Sequence, residues 1–252
     1  RWIDWYGNLE VSPPVMTTDG RAFPCGRVLI GKQRELTMHP DILRFLAVQA
    51  IQTPAVTVDT SWLEVGHVDE VVNFVPAAGN PGFRALMSST ARAKAILDGI
   101  AESDPDCCVF AGTASETTVQ ALLDEVANSA ENESIQRTLD RTRRMLCEEL
   151  GINEVDFIEM PALFREGQAV IPNCVNCLVV NRSVILPDPK GPMIDGADRF
   201  QAPIDAALTA LGLTVHFLDN WTPYHVRSGE VHCGTNALRR ISTPAWYDAA
   251  GG

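Results

Sequence analysis

Gly229-Glu230-Val231-His232-Cys233-Gly234-Thr235-Asn236, near the C-terminus, sets a cysteine among polar residues with a glycine directly behind it. Cysteine is among the most buried residue types and usually behaves as a small hydrophobe. These flanks suit a core thiol poorly. Glycine lets the backbone turn sharply or approach a ligand closely, so the side chain before it can be presented at a rim. Such a cysteine becomes a nucleophile only where a histidine and a carboxylate reach it in space. Gly66-His67-Val68-Asp69-Glu70 offers both. On an extended strand, residues two apart face the same side. The spacing therefore predicts His67 and Asp69 on one face, with Val68 turned into the core. A half-buried strand end whose polar residues face water would read the same way, and spacing alone leaves both open. His232, on the same extended backbone as Cys233, would point away from it and is left out of the site.

The rest of the chain sets bounds on what such a site could serve. At 252 residues, 46% hydrophobic and 21% charged, it fits one ordinary globular domain. No apolar run approaches the roughly 18 residues that span a bilayer, and no signal-peptide pattern opens it. A formal charge of −12 argues against nucleic acid, whose phosphates need a basic surface, and suits a cationic ligand, although acidity also serves solubility. Seven cysteines, without the dense spacing of a disulfide scaffold, predict a reducing, cytoplasmic setting. Cys174-Val175-Asn176-Cys177 has the Cys-x-x-Cys form of redox and metal sites. No second pair matches it, and Val175, Leu178, Val179 and Val180 predict a core strand instead.

Strand and helix patterns alternate along the chain. Arg27–Ile30 and Val56–Asp59 read as strands on either side of a helix opened by Pro40. Val71–Val75 and Phe83–Met87 read as a hairpin across the Gly/Pro/Asn cluster of residues 77–82. Helices are predicted over about 90–102, 115–127 and 133–150. The last carries Ile135, Leu139, Leu146 and Leu150 on one face and stops at Gly151. Strands follow at 155–160, 178–186 and 213–218, with a helix over 204–211. The class is α/β. Alternation alone suggests a doubly wound sheet, and no repeat is visible in the sequence.

Four segments together carry a family likeness. Ser61-Trp62-Leu63-Glu64-Val65-Gly66-His67-Val68-Asp69-Glu70 and the stretch from Tyr224 to Asn236 resemble the two active-site signatures of the peptidylarginine deiminases. Tyr6-Gly7-Asn8-Leu9-Glu10-Val11-Ser12-Pro13-Pro14 and Ile171-Pro172-Asn173-Cys174-Val175-Asn176-Cys177 are similar to two further family segments. The resemblance implies a five-bladed α/β propeller of the pentein-like, guanidine-modifying kind, with the site at its hub. It implies hydrolysis of protein-bound arginine to citrulline with release of ammonia. Cys233 would be the nucleophile, His67 the acid and base, and Asp69 a carboxylate for the guanidinium. Arg227 and Trp2 would bind substrate. Calcium would be held by the backbone carbonyls of Tyr6 and Leu9 and by the Glu10 carboxylate. The partners are then arginine-containing proteins or peptides.

The likeness is broken at one point. Arg1-Trp2-Ile3 runs directly into Asp4-Trp5-Tyr6, where the family has a stretch with a second guanidinium carboxylate, acidic calcium ligands and another substrate-binding arginine. The expectation is a single catalytic domain over residues 1–252, with residues left out between Ile3 and Asp4 and no immunoglobulin-like domains before it. Deiminases of free arginine or agmatine share the chemistry. A non-catalytic arginine-binding module is the reading from a different class.

Overall fold

The computed structural model describes residues 1–238, and residues 239–252 of the expected domain lie outside the described residues. The hairpin predicted around residues 77–82 is present. Val72–Pro76 pairs antiparallel with Phe83–Ser89, and Ala77 N–H donates to Gly82 O at 3.0 Å to close the turn. Gly79 and Gly82 sit there at φ 83° and 90°, in the left-handed region that favours glycine. After helices Thr90–Ala101 and Ala130–Leu150, the chain returns as Phe157–Pro161, parallel to Phe83–Ser89. The strand Phe83–Ser89 is therefore central in a three-stranded sheet.

The same plan recurs on either side. Val28–Lys32 lies between Glu10–Val11, antiparallel, and Val56–Asp59, parallel, with helix Pro40–Val48 as the crossover. Ser183–Pro187 lies between Leu178–Val180, antiparallel, and Thr214–Leu218, parallel, with helix Gln201–Ala210 as the crossover. Three β-β-α-β units thus follow one another, each a separate sheet. This overturns the single doubly wound sheet that alternation suggests. The fold is mixed α/β, built from a repeat of topology that leaves no repeat of letters.

Packing follows from the two-residue period of the central strands. Ala85 and Met87 face Ile135, Leu139 and Leu146 of the long helix, whereas Leu86 between them faces Val184, Leu186, Ile204 and Leu208 of the third unit. The long helix buries the predicted face and ends at Gly151 with φ 61°. Residues 178–186, predicted to be β, form a hairpin: Val180 pairs with Ser183 across Asn181-Arg182, with Asn181 at φ 55°. The predicted 115–127 helix begins at Val119, and its last turn, Leu123–Ala127, is a π-helix.

What these units position is a set of connecting turns. Tyr6–Asn8 immediately precedes the first strand of the first unit, Val68–Glu70 that of the second, and Asn173–Cys177 that of the third. His232–Gly234 follows the last strand of the third unit. These four turns bring the candidate residues together. Buried Asn8 ties two of them to the first sheet. Its Nδ2 donates to Ile3 O and Gly31 O, and its Oδ1 accepts from Gly31 N at 2.6 Å and Val68 N at 3.2 Å.

Candidate active site

His67 and Asp69 do not lie on a strand. His67 is extended (φ −88°, ψ 143°) and enters a single 3-10 turn, Val68–Glu70. Both side chains are inside the protein, His67 at 5% exposure and Asp69 at 0%, so the solvent-facing strand end is excluded as well. His67 Nε2 lies 2.7 Å from Trp2 O. A carbonyl only accepts, so Nε2 carries the proton and Nδ1 of the neutral ring is the lone-pair nitrogen. Gly7 packs over that nitrogen. A Cβ at Gly7 would fall 2.5 Å from His67 Nδ1 and 2.9 Å from Asp69 Oδ2, so both side chains flank one point.

Cys233 sits in the 3-10 turn His232–Gly234, not on extended backbone. That curvature brings His232 to the site from which the extended reading excluded it. His232 Nδ1 is 2.8 Å from Asp69 Oδ2 and Nε2 is 3.5 Å from Glu10 Oε1. Cys233 Sγ lies 3.9 Å from Asp69 Oδ2. The glycine behind it serves packing: a Cβ at Gly234 would meet the Tyr224 ring at 2.6 Å. Cys233 is exposed as a whole residue, yet its sulfur faces inward. Burial, and then the Asp69 charge, push its thiol up to about 12 against the pull of hydrogen bonds from the backbone at Glu230 and from Asn176. Asn176 is fully buried; its Nδ2 donates to Cys233 Sγ at 3.3 Å, and its Oδ1 accepts from Cys233 N–H at 3.2 Å.

The surroundings are acidic. A cleft that reaches Cys233 is lined by Glu64, Glu70 and Glu230. Burial, with Asp69 and Glu230 close by, holds the Glu70 carboxyl well above the usual carboxylate range. Glu230 is fixed by Asn220 Nδ2 at 2.6 Å, His225 Nδ1 at 2.8 Å and Asn173 N–H at 3.1 Å. Asp69 Oδ2 serves His232, whereas Asp69 Oδ1 is buried and meets no hydrogen-bond donor among the described residues. A buried carboxylate oxygen of that kind, beside a thiol, fits a cationic hydrogen-bonding ligand. Cys174 and Cys177 are fully buried and their thiols are pushed up by that burial, which bears out the core reading, although the segment is a turn and the strand starts at Leu178.

The remaining predicted residues are placed less decisively. Arg227 ends the short helix His225–Arg227, exposed, with no side-chain hydrogen bond or ion pair among the described residues. Trp2 is half exposed and stacks on Trp5 at 5.9 Å, so its tie to His67 is through its carbonyl. Tyr6 is 92% exposed, and its carbonyl accepts from Leu9 N–H at 3.0 Å. Glu10 is buried near His232. No group of three or more His, Cys, Asp or Glu side chains is placed to hold a metal among the described residues. Tyr6, Leu9 and Glu10 offer one carboxylate and two carbonyls, whereas calcium takes about six to eight oxygens. They do not make a calcium site by themselves. The residues that sequence reasoning passed over are Asn176, His232, Gly7 and Asn8. Asn176 lay inside a segment already singled out, and His232 adjoined the cysteine.

A thiol, two imidazoles and a buried carboxylate converging between the turns of an α/β frame define a protein with a cysteine-centred polar site. Residues 1–248 match the profile of the protein-arginine deiminase (PAD) family, and the chain belongs to that family. It is 36% identical over 261 residues to protein-arginine deiminase type-4 of Mus musculus, covering 97% of this chain and 39% of that one. It is 36% identical to the type-3 enzyme of Homo sapiens, covering 98% and 39%, and 34% identical to the human type-1 enzyme, covering 98% and 38%. The chain thus spans about two fifths of the length of these relatives. An agmatine deiminase of C. jejuni aligns over 92% of this chain and 56% of its own, at 13% identity and a TM-score of 0.47, a likeness too distant to decide the fold.

Proposed function

We propose that this chain carries the catalytic residues for hydrolytic deimination of protein-bound arginine to citrulline, with Cys233 as nucleophile. The observation that carries this is Asp69: fully buried, 3.9 Å from the thiol, with Oδ1 unmatched by any donor among the described residues. A guanidinium is planar and cationic and donates from several N–H groups, so it supplies what Asp69 lacks. It also offsets the negative charge that disfavours the Cys233 thiolate.

The chemistry then runs in two halves. With the guanidinium bound, the Cys233 thiol releases its proton to solvent, and the thiolate attacks the guanidinium carbon and forms a C–S bond. Protonated His67 gives its proton to one terminal nitrogen, that C–N bond breaks, and ammonia leaves a thiouronium on Cys233. Neutral His67 next takes a proton from water, and the oxygen adds to the same carbon. The C–S bond breaks and citrulline leaves. The proton remaining on its oxygen ends on ammonia as ammonium. Exposed Arg227 is read as serving the substrate backbone, and Trp2 as a wall of the entrance. Family membership favours arginine within proteins and peptides over free arginine or agmatine.

Three further readings belong here. The β-β-α-β units are taken as blades of a five-bladed, pentein-like propeller; their shared topology and the position of the site turns support it. Calcium is taken to bind at Tyr6, Leu9 and Glu10 only with oxygens from elsewhere, and no step above runs through it. The cytoplasmic setting rests on the free cysteines, and no helix of the described residues is long and apolar enough to cross a membrane. Ammonia release from a blocked arginine ester, free arginine and agmatine tests the function. Preferred turnover of the ester supports it; preference for a small guanidine, or no turnover of any, contradicts it.

A further inference from the structure

Besides Asp69, the Asn176 side chain has an atom within hydrogen-bond distance of the Cys233 sulfur among the described residues, and the chemistry above does not use it. Asn176 is held by its turn rather than by chance. Asn73 Nδ2 donates to Val175 O at 3.2 Å and Cys177 O at 3.0 Å, fixing the peptides on either side of it. Asn173, three residues earlier, is gripped by Glu230 through its N–H at 3.1 Å and donates from Nδ2 to Glu70 O at 2.8 Å. His232 N–H donates to Asn176 O at 3.2 Å. The 173–177 turn and the 230–233 segment are therefore joined at several points, and the Asn176 amide is pre-set between them. One end of that amide accepts from the Cys233 backbone, and the other donates to its sulfur.

We propose that Asn176 is a catalytic residue whose Nδ2–H hydrogen-bonds the Cys233 sulfur and stabilises its thiolate. The proposal rests on the reading of Cys233 as the nucleophile. A donor to a thiolate is stronger than a donor to a thiol, because the acceptor is charged. It favours the charged form against the burial and the Asp69 charge that oppose it. The same bond serves both halves of the reaction, since the sulfur is a thiolate before attack and again when it leaves. A purely structural role would need only the Oδ1 contact to the Cys233 backbone.

Asn176→Asp keeps the shape and that acceptor, and replaces the donor with a carboxylate whose charge itself also disfavours the thiolate. Asn176→Ala removes both. The readout independent of turnover is iodoacetamide alkylation of the Cys233 peptide, followed by mass spectrometry on the folded full chain at a fixed pH of about 8. A hydrogen bond to a charged group is worth roughly 10- to 100-fold in thiolate population. Part of this is returned by the greater nucleophilicity of a more basic thiolate, so alkylation should slow roughly 3- to 10-fold in both variants. With a blocked arginine ester, kcat should fall at least about 10-fold with KM within about twofold, again from the loss of a charge-assisted bond. Parental alkylation rates in a folded Asn176→Asp would overturn the proposal. So would loss of folding in both variants, which would make Asn176 a structural residue. If the parent is alkylated at Cys233 yet turns over no arginine ester, the functional reading fails while the alkylation rates still judge Asn176.

Discussion

At Cys233 two requirements of the chemistry pull against each other. The proposed guanidinium substrate would need a carboxylate close to the sulfur, and that carboxylate, together with burial, pushes the thiol up to about 12. Only the thiolate is nucleophilic, so the substrate-free site is held in its unreactive form at neutral pH. Replacing Asp69 with Asn should move the two properties in opposite directions. It removes a negative charge beside the sulfur, so the thiol pKa falls and alkylation of Cys233 at pH 8 becomes several-fold faster. It also removes the charge that holds the guanidinium, so turnover of an arginine ester should drop by roughly 100-fold or more, as for other charge-stabilising groups. Alkylation that slowed, or turnover that survived, would mean that Asp69 is not the charge facing the sulfur.

The site is made of turns, and their backbones approach closely enough to exclude side chains. Gly7 is the sharpest case, since a methyl group there would overlap the His67 ring and crowd Asp69. Gly7→Ala should lower the melting temperature by several degrees, because the added methyl overpacks buried His67 and Asp69. It should lower kcat on the order of 100-fold, the scale on which a misplacement of about an ångström acts. A parental kcat would show that His67 can shift without loss. Much of this level is legible in sequence: the Val72–Pro76 hairpin from its Gly/Pro/Asn turn, the long helix from its apolar stripe and Gly151, and the placement of Cys233 outside the core from its polar flanks. The orientation around it is not. His67 is extended, as the spacing predicts, but Asp69 lies on the 3-10 turn that follows it and His232 and Cys233 lie on another, and curvature redirects side chains that a two-residue period would place. Asn176 was hidden for another reason. Asparagine in a turn is ordinary, and its role depends on a segment 57 residues away.

The three β-β-α-β units share connectivity without sharing letters, because a hairpin and a crossover ask only for apolar periods and turns. Their intervening segments differ greatly in length, so no fixed period exists for a sequence reading to find. Each first strand begins just after a turn that contributes to the site, so parts distant in sequence converge at equivalent places in the units. The oxygens at Tyr6, Leu9 and Glu10 run from the first of these turns into its strand and fall short of a calcium shell. Titrating calcium into chelator-treated full-length protein should therefore raise citrulline formation from near zero, as donors from outside these residues complete the shell. Full activity in chelator would remove calcium from the account. The central claim is the covalent chemistry at Cys233. Acid-quenching the protein during turnover of a blocked arginine ester and mapping its peptides by mass spectrometry tests it most directly. The account predicts a Cys233 peptide carrying the substrate less ammonia, absent from an inactive but folded Cys233→Ser. Citrulline formed by Cys233→Ser at the parental rate, with no adduct on Cys233 in the parent, would contradict it.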